Sequence, residues 1–304
     1  MSDELRFSKY QGTGNDFVIV EDLRDELAIH AEAAAALCER RFGVGADGTI
    51  RITGADSVAA RETAAALGVD ADRASFFMDH RNADGSTAEM CGNGIRCLAA
   101  YVRHRGLDGG DALLVLTRAG IKHVRLAERD GELSVTVGMG APRFPRSAIP
   151  MHGPAWEPFL GEPFELGGGV TIKASAVSMG NPHLVLFVDE DPAAVHVGHI
   201  GPALERHELF PERTNVEFVA VDGDDLKVRV WERGVGETMA CGTGACAALV
   251  AANEAGLTGE RATVRFPGGP VHVERREDGE VALTGPAVHV YDGIVNPARL
   301  RRRP

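Results

Sequence analysis

The chain has 304 residues, of which 44% are hydrophobic, and carries a formal net charge of −12. This length predicts two domains of ordinary size, and the negative charge disfavours nucleic acid and anionic membranes as partners. There is no run of about 18 or more apolar residues that could span a membrane. The acidic start Met1-Ser2-Asp3-Glu4 is unlike a signal peptide, so a cytoplasmic protein is expected.

The N-terminal half mixes strand and helix signals. The predicted elements are a strand–loop–strand over 6–21 with its tight loop at 11–16, an Ala-rich helix over 28–41, a Gly-punctuated loop at 41–48, a strand at 49–52, a helical segment at 54–74 and a strand at 75–79. The Ala- and Asp-rich segment 54–74 carries no recognisable chemistry and is interpreted as a surface insertion. The last strand leads through Asn82-Ala83-Asp84-Gly85-Ser86 towards Cys91.

An apolar helix follows Cys91 and another follows Cys241. The first runs through Ile95-Arg96-Cys97-Leu98-Ala99-Ala100-Tyr101-Val102 and the second through Ala245-Cys246-Ala247-Ala248-Leu249-Val250-Ala251-Ala252. A helix that is apolar on nearly every side must be buried on every side. Each helix is therefore predicted to lie at the centre of a sheet that wraps around it.

The helices belong to an internal repeat. Glu89-Met90-Cys91-Gly92-Asn93-Gly94 is matched half a chain later by Met239-Ala240-Cys241-Gly242-Thr243-Gly244, and Gly106-Leu107 is matched by Gly256-Leu257. The repeat predicts an α+β fold of two pseudo-symmetric domains, each a mixed sheet around a central buried helix. The expected N-terminal lobe spans 1–141 and is completed by 286–304, the C-terminal lobe spans 142–285, and the Pro-rich stretch 142–163 is interpreted as the linker. The active site is expected in the cleft between the lobes.

The five cysteines are predicted to be free thiols. They are Cys38, Cys91, Cys97, Cys241 and Cys246. Their odd number argues against a disulfide framework, and their spacings do not match the close pairs of a zinc site, so no metal is expected.

Cys91 and Cys241 are the candidates for chemistry, because each precedes a Gly-x-Gly at a helix start. Such a start leaves backbone N–H groups open to an anion and lowers the pKa of a thiol. A carboxylate held between the helix starts would have a thiol on each side. One thiolate could remove the α-proton and the opposite thiol could return a proton to the other face, inverting the stereocentre without a metal or cofactor.

Other interpretations of the thiols stay open. Cys38, Cys97 and Cys246 fall within apolar helices and are interpreted as core residues. Facing thiols could also form a redox pair, but the chain has no Cys-x-x-Cys, and a disulfide is expected only as oxidative inactivation.

These motifs resemble the diaminopimelate epimerase family over about residues 6 to 292. The resemblance rests on Gly12-Thr13-Gly14-Asn15-Asp16-Phe17, Asn82-Ala83-Asp84-Gly85-Ser86, Met90-Cys91-Gly92-Asn93-Gly94, Gly180-Asn181-Pro182-His183, Arg213-Thr214-Asn215-Val216-Glu217-Phe218, Trp231-Glu232-Arg233-Gly234 and Ala240-Cys241-Gly242-Thr243-Gly244. It implies a cofactor-independent isomerase of lysine and peptidoglycan-precursor synthesis that interconverts LL- and meso-diaminopimelate. It also implies a homodimer.

The resemblance assigns roles to individual residues. It makes Cys91 and Cys241 the acid–base pair, and His183 and Glu232 supporting catalytic residues. The implied substrate-binding residues are Gly92, Asn93, Gly242 and Thr243 at the reacting end, Asn15, Asn82, Asn181 and Asn215 along the pocket, and the charged pair Glu232 and Arg233. Arg233 could grip a carboxylate in bidentate fashion, and Glu232 could meet an ammonium.

The sequence departs from the family at Gly48, where some members have Gln, and no substrate contact is expected there. An alternative within the fold is a racemase of another amino acid, such as histidine or proline. An alternative of a different class is a non-catalytic binding protein or thiol redox module.

Overall fold

The computed structural model describes residues 4–27, 29–129, 131–167 and 169–300. The acidic N-terminal start, residues 1–3, and the C-terminal residues 301–304 lie outside the described residues. Ala28, at the start of the first predicted helix, also lies outside them. The chain divides into two compact units, Met1–Val137 with Gly285–Pro304 as unit 1 and Gly138–Thr284 as unit 2. In the described part of the chain, no helix is long and apolar enough to cross a membrane.

The elements follow one another as strands interspersed with short helices. The first are β1 (Leu5–Gly12), β2 (Asn15–Glu21), α1 (Ala31–Cys38), β3 (Gly48–Gly54), α2 (Val58–Leu67), β4 (Phe76–Asn82), α3 (Gly92–His104), β5 (Ala112–Thr117), β6 (Gly120–Arg129) and β7 (Glu132–Gly140). The next are β8 (Phe159–Gly167), β9 (Val170–Ser178), β10 (Pro182–Phe187), α4 (Val197–Glu205), β11 (Asn215–Asp222), β12 (Asp225–Glu232), β13 (Gly236–Thr238), α5 (Gly242–Glu254), β14 (Arg261–Phe266), β15 (Gly269–Arg275), β16 (Val281–Pro286) and β17 (Val288–Val295). Single 3₁₀ turns lie at Ala71–Arg73, Arg146–Ala148, Pro192–Ala194 and Pro297–Arg299.

The strands of unit 1 form a mixed sheet. β17 pairs antiparallel with β1, and β1 pairs antiparallel with β2. β2 and β3 are parallel, β3 and β4 antiparallel, and β4 and β5 parallel. The series continues antiparallel through β6 to β7.

Unit 2 repeats the same series of pairings. β8, β9 and β10 are antiparallel neighbours, β10 is parallel to β11, and β11 is antiparallel to β12. β12 is parallel to β14, and antiparallel pairs then lead through β15 to β16. The identical order of parallel and antiparallel pairs in each unit confirms the predicted α+β fold with its internal repeat.

A buried helix lies at the centre of each sheet. Every residue of α3 from Gly92 to Val102 is buried, and α3 packs against β1, β2, β6 and β17. The segment Gly244–Ala252 of α5 is likewise buried, and α5 packs against β9, β10, β14 and β15. Because both helices are apolar on nearly every side, burial on all sides is their stable state, as the sequence predicted.

The shorter helices differ from their predicted form. The helix expected over 28–41 is α1, Ala31–Cys38, because the chain turns back and the carbonyl of Leu37 accepts from Val44 and Gly45. The segment predicted as a surface insertion forms α2, which is capped by the Ser57 hydroxyl. Its Ala60 and Ala64 are buried in an apolar cluster with Phe77 and Leu116, so α2 is a packed element of unit 1.

The stretch 142–163 is not a linker along its whole length, and that interpretation is wrong. Ile149, Met151 and Phe159 are buried within an apolar cluster of unit 2 that also contains Val197 of α4 and Phe218 of β11. This stretch is rich in proline because the chain makes turns here while it packs against the sheet.

Candidate active site

Both candidate thiols occupy the N-cap position of a central helix. The Sγ atom of Cys91 accepts a hydrogen bond from the Gly94 N–H of α3 at 3.5 Å, and that of Cys241 accepts from the Gly244 N–H of α5 at 3.4 Å. Their backbone angles, φ −132° and ψ 122° against φ −125° and ψ 120°, are nearly the same. Each sulfur thus meets a helix N-terminus, where backbone N–H groups favour negative charge.

The surroundings of Cys91 in unit 1 contain amide side chains. Oδ1 of Asn15 accepts from the Cys91 thiol at 3.6 Å and from Nδ2 of Asn93 at 3.3 Å. Nδ2 of Asn15 in turn donates to Asp47 at 2.8 Å. The structure therefore brings the predicted residues Asn15, Cys91 and Asn93 together, with Gly92 opening the helix between them.

Asn82 lies at the end of β4 and is exposed. Its Nδ2 donates to the Ser86 hydroxyl of its own loop at 3.0 Å. Its substrate-binding role stays a prediction.

The surroundings of Cys241 in unit 2 are a chain of polar contacts. The hydroxyl of Thr243 lies 3.4 Å from the Cys241 sulfur, and Nδ2 of Asn181 donates to that hydroxyl oxygen at 3.3 Å. Oδ1 of Asn181 lies 2.9 Å from Nε2 of His183, and Nδ1 of His183 lies 2.7 Å from Oε1 of Glu217. The structure thus connects the predicted residues Asn181, His183, Cys241 and Thr243 in one row.

Burial and neighbouring carboxylates both oppose ionisation of the Cys241 thiol. Burial raises the pKa of Cys241 well above its ordinary value, and the charges of Glu232 and Glu217 raise it further. Glu232 accepts from the Thr238 hydroxyl at 2.5 Å, and burial raises the pKa of its carboxyl group as well.

Asn215 and Arg233 are linked through the backbone. Nδ2 of the buried Asn215 donates to the Pro182 carbonyl at 2.8 Å, and its Oδ1 accepts from the Arg233 N–H at 2.9 Å. Asn215 thereby fixes the start of the loop after β12. The guanidinium group of Arg233 is exposed and donates to the Glu212 carbonyl at 3.3 Å.

Sequence reasoning assigned no role to Glu217 or to Arg96, and both side chains are fully buried. Arg96 donates to the Thr13 hydroxyl at 2.7 Å, to the Gly92 carbonyl at 3.3 Å and to the Pro286 carbonyl at 3.2 Å. It therefore ties the start of α3 to the loop that carries Asn15. The signal in each case is a charged residue within an otherwise apolar element.

No group of three His, Cys, Asp or Glu side chains in the described ranges is arranged to hold a metal ion. A thiol at each helix start is a group that can take part in proton transfer.

Comparison with known families gives one match along most of the chain. The family model described as diaminopimelate epimerase matches residues 7–145 and 175–290. A protein named diaminopimelate epimerase from Pelotomaculum thermopropionicum is 44% identical over 295 residues, covering 95% of this chain and 98% of its own. Proteins of the same name from Moorella thermoacetica and Synechococcus elongatus are each 45% identical, covering 95% and 97% of this chain and 98% and 99% of their own.

Solved structures share the fold at low sequence identity. A predicted epimerase from Pseudomonas aeruginosa superposes with a TM-score of 0.66 at 18% identity, covering 96% of this chain and 99% of that one. A hydroxyproline epimerase from Agrobacterium vitis superposes with a TM-score of 0.63 at 15% identity, covering 97% and 93%. At these identities the likeness supports the fold alone.

Proposed function

This chain belongs to the diaminopimelate epimerase family, and is therefore an isomerase; from that membership we propose that it interconverts LL- and meso-2,6-diaminopimelate. The proposed reaction needs no cofactor, uses Cys91 and Cys241 as its acid–base pair, and serves lysine biosynthesis in the cytoplasm. The observation that carries the proposal is the repeated thiol at the N-cap of a central helix, found in a family of epimerases.

The proposed proton transfers balance without any other reactant. A thiolate removes the proton from the α-carbon, and the thiol of the other cysteine delivers its proton to the opposite face of the same carbon. The two sulfurs exchange protonation states in each turnover, and proton exchange with water restores them before the next turnover in the same direction. Either sulfur can serve as the base, because the reaction runs in both directions.

Backbone N–H groups are proposed to hold the reacting end of the substrate. Gly92 and Asn93 open α3, and Gly242 and Thr243 open α5, so their N–H groups suit a carboxylate and the charge that develops on it during deprotonation. The distant amino-acid end is proposed to meet Arg233, whose guanidinium group is exposed, and Asn15, Asn82, Asn181 and Asn215 are proposed to line the pocket. Glu232 is proposed to receive a substrate ammonium.

Turnover of LL-diaminopimelate, with proline, hydroxyproline and histidine as competing substrates, tests this function. The Cys91→Ala and Cys241→Ala variants are expected to lose epimerisation, whereas Cys97→Ala and Cys246→Ala are expected to retain it. The latter pair are matched controls, because they lie in the same helices and are fully buried. Full activity of either of the first two variants would contradict the mechanism, and turnover of a single amino acid alone would contradict the substrate.

We also propose that the enzyme is a homodimer that assembles through β17. Val288, Val290, Tyr291 and Ile294 are large apolar residues of this strand, and each is exposed. A twofold interface brings the same patch of each subunit together, and apolar patches on a monomer mark such interfaces. A neighbouring cavity of about 460 Å³ is lined by side chains of both charges, namely Arg6, Glu21, Arg105 and Asp292, which offers partners for the opposite charges of a second copy.

Sedimentation tests the dimer. The mass of the wild-type protein from sedimentation is expected to be twice the 32.3 kDa of one chain. The Tyr291→Asp/Ile294→Asp double variant is expected to have half that mass. Val170→Asp is the matched control, because Val170 is an exposed apolar strand residue of unit 2. An unchanged mass in the double variant would exclude β17 as the interface.

A further inference from the structure

The pair His183–Glu217 is a buried polar contact that the fold itself does not require. Both side chains have no exposed surface. Removing charges from water is costly, and replacing a buried ion pair by apolar residues is often neutral or stabilising. The contribution of this pair therefore lies in its effect on neighbouring residues.

Unit 1 shows an apolar solution at the same positions. In the parallel pair β2/β3, Phe17 lies opposite Gly48, as His183 lies opposite Asn215 in the parallel pair β10/β11. Phe17 and Ile50 thus correspond to His183 and Glu217. The first turn of each central helix confirms the match, because a Cβ on Gly94 would lie 3.1 Å from Cδ1 of Ile50, and a Cβ on Gly244 would lie 2.7 Å from Oε1 of Glu217.

The contacts from Glu217 through His183, Asn181 and Thr243 to Cys241 form a row in which each donor and acceptor can be assigned. A carboxylate 2.7 Å from Nδ1 of His183 calls for a proton on Nδ1, and the carbonyl oxygen of Asn181 calls for a proton on Nε2. With its oxygen used by His183, Asn181 donates from Nδ2 to the hydroxyl oxygen of Thr243. That hydroxyl then has its own hydrogen directed at the sulfur of Cys241, 3.4 Å away.

We propose that Glu217 is a positioning residue which, through His183 and Asn181, fixes the Thr243 hydroxyl as a hydrogen-bond donor to the sulfur of Cys241. The proposal rests on the proposed function, in which Cys241 becomes an anion in one direction of the reaction. Burial and the carboxylate of Glu232 destabilise that anion, and a hydrogen-bond donor held in place beside the sulfur stabilises it. The carboxylates of Glu232 on β12 and Glu217 on β11 raise the pKa of Cys241, and the imidazole of His183 on β10 contacts Glu217.

Glu217→Gln is expected to exchange the donor and acceptor roles along the row. The glutamine can still accept from Nδ1, but it no longer carries the charge that favours a proton on both ring nitrogens. A neutral His183 presents a lone pair at Nε2, Asn181 turns its amide to donate to it, and the Thr243 hydroxyl then donates to Asn181 rather than to Cys241. Loss of the Glu217 charge alone would lower the pKa of Cys241, so a shift of its titration profile to higher pH reports the lost hydrogen bond and not the lost charge.

The reactivity of Cys241 reports this change without any substrate. In a Cys91→Ser background, the rate of iodoacetamide alkylation at Cys241 is followed against pH by site-resolved mass spectrometry. Glu217→Gln is expected to move the profile to higher pH by about one unit, the size of one hydrogen bond to a charged group. Glu205→Gln is the matched control, since Glu205 is a buried carboxylate that accepts from Trp231 and Gly234 of the same unit.

The far end of the row supplies an independent test. Thr243→Val is expected to shift the profile as Glu217→Gln does, Thr243→Ser is expected to leave it in place, and the Glu217→Gln/Thr243→Val double variant is expected to shift no further than Thr243→Val. If Glu217→Gln did not fold, the comparison of Val with Ser at position 243 would still decide whether the hydroxyl acts as the donor. Equal profiles for Thr243→Val and Thr243→Ser, or additive shifts in the double variant, would overturn the proposal. Failure on diaminopimelate alone would overturn only the proposed substrate.

Discussion

An alanine at Gly244 is expected to be far more damaging than an alanine at Gly94, although the two glycines occupy the same position in the first turn of α5 and α3. A Cβ on Gly94 would lie 2.9 Å from Cε of Met78 and 3.1 Å from Cδ1 of Ile50. These are the ends of flexible apolar side chains, which can move. A Cβ on Gly244 would lie 2.7 Å from Oε1 of Glu217, an oxygen held by His183 at 2.7 Å.

The magnitudes separate the two variants. Alanine in place of a helical glycine stabilises by about 0.5–1 kcal/mol, and overpacking costs about 1–3 kcal/mol. At Gly94 these effects nearly cancel, so a change within about 2 kcal/mol is expected. At Gly244 the displaced carboxylate also loses a hydrogen bond to a charged group, which adds about 1.5–3 kcal/mol. The Gly244→Ala variant is therefore expected to lose about 2–5 kcal/mol.

Urea unfolding of both variants measures these free energies, and epimerase assays on the folded proteins measure the accompanying loss of activity. Gly244→Ala is expected to show the larger loss in both. Equal destabilisation of the two variants, or a larger effect at Gly94, would refute the idea that Glu217 is held rigidly against the first turn of α5.

Two further predictions concern unit 1. Burial raises the pKa of Cys38 and Cys97 to about 12 from an ordinary value of 9.0, so the folded chain keeps protons that the unfolded chain releases, and stability should fall as pH rises above 9. Between pH 8 and 10 the two thiols together are expected to lower the free energy of unfolding by about 3 kcal/mol. Urea unfolding under reductant measures this loss, and an equally steep loss in a Cys38→Ala/Cys97→Ala variant would contradict the prediction. Arg96→Met is expected to destabilise by about 3–5 kcal/mol because it leaves buried acceptors unpaired, among them the Thr13 hydroxyl; unfolding at the wild-type urea midpoint would contradict this.

The central helices and the strands were predictable because their patterns are strong. An element that is apolar on every side has one stable environment, and the repeated Cys-Gly-x-Gly places each thiol at a helix start without reference to tertiary structure. The bounds of α1 were less predictable, because they depend on a chain reversal at Val44 and Gly45 that takes up the Leu37 carbonyl. The proline-rich stretch looked like a linker because composition reports turns and does not report whether Ile149 packs against a sheet.

The polar contacts around Cys241 could be predicted only in part. His183 and Asn181 stood out through their motif, but the charge of Glu217 in an apolar strand indicates only that it needs a buried partner, not which residue that partner is. Its partner is 34 residues away along the chain, and only the parallel pairing of β10 with β11 brings them together. Arg96 was hidden in the same way, since its hydrogen-bond partners lie at Thr13 and Pro286. Such contacts follow from topology rather than from local pattern.

Isotope labelling tests the two-thiol mechanism most directly. Wild-type enzyme acting on LL-diaminopimelate in deuterium oxide, under reductant, is stopped after a small fraction of conversion, and the α-carbons of substrate and product are analysed separately. A proton delivered by a second thiol comes from solvent, so the meso product should carry deuterium at the inverted carbon while the remaining LL substrate carries none. Deuterium entering the remaining substrate as fast as the product, or a product that retains the original hydrogen, would contradict the assignment of opposite faces to Cys91 and Cys241.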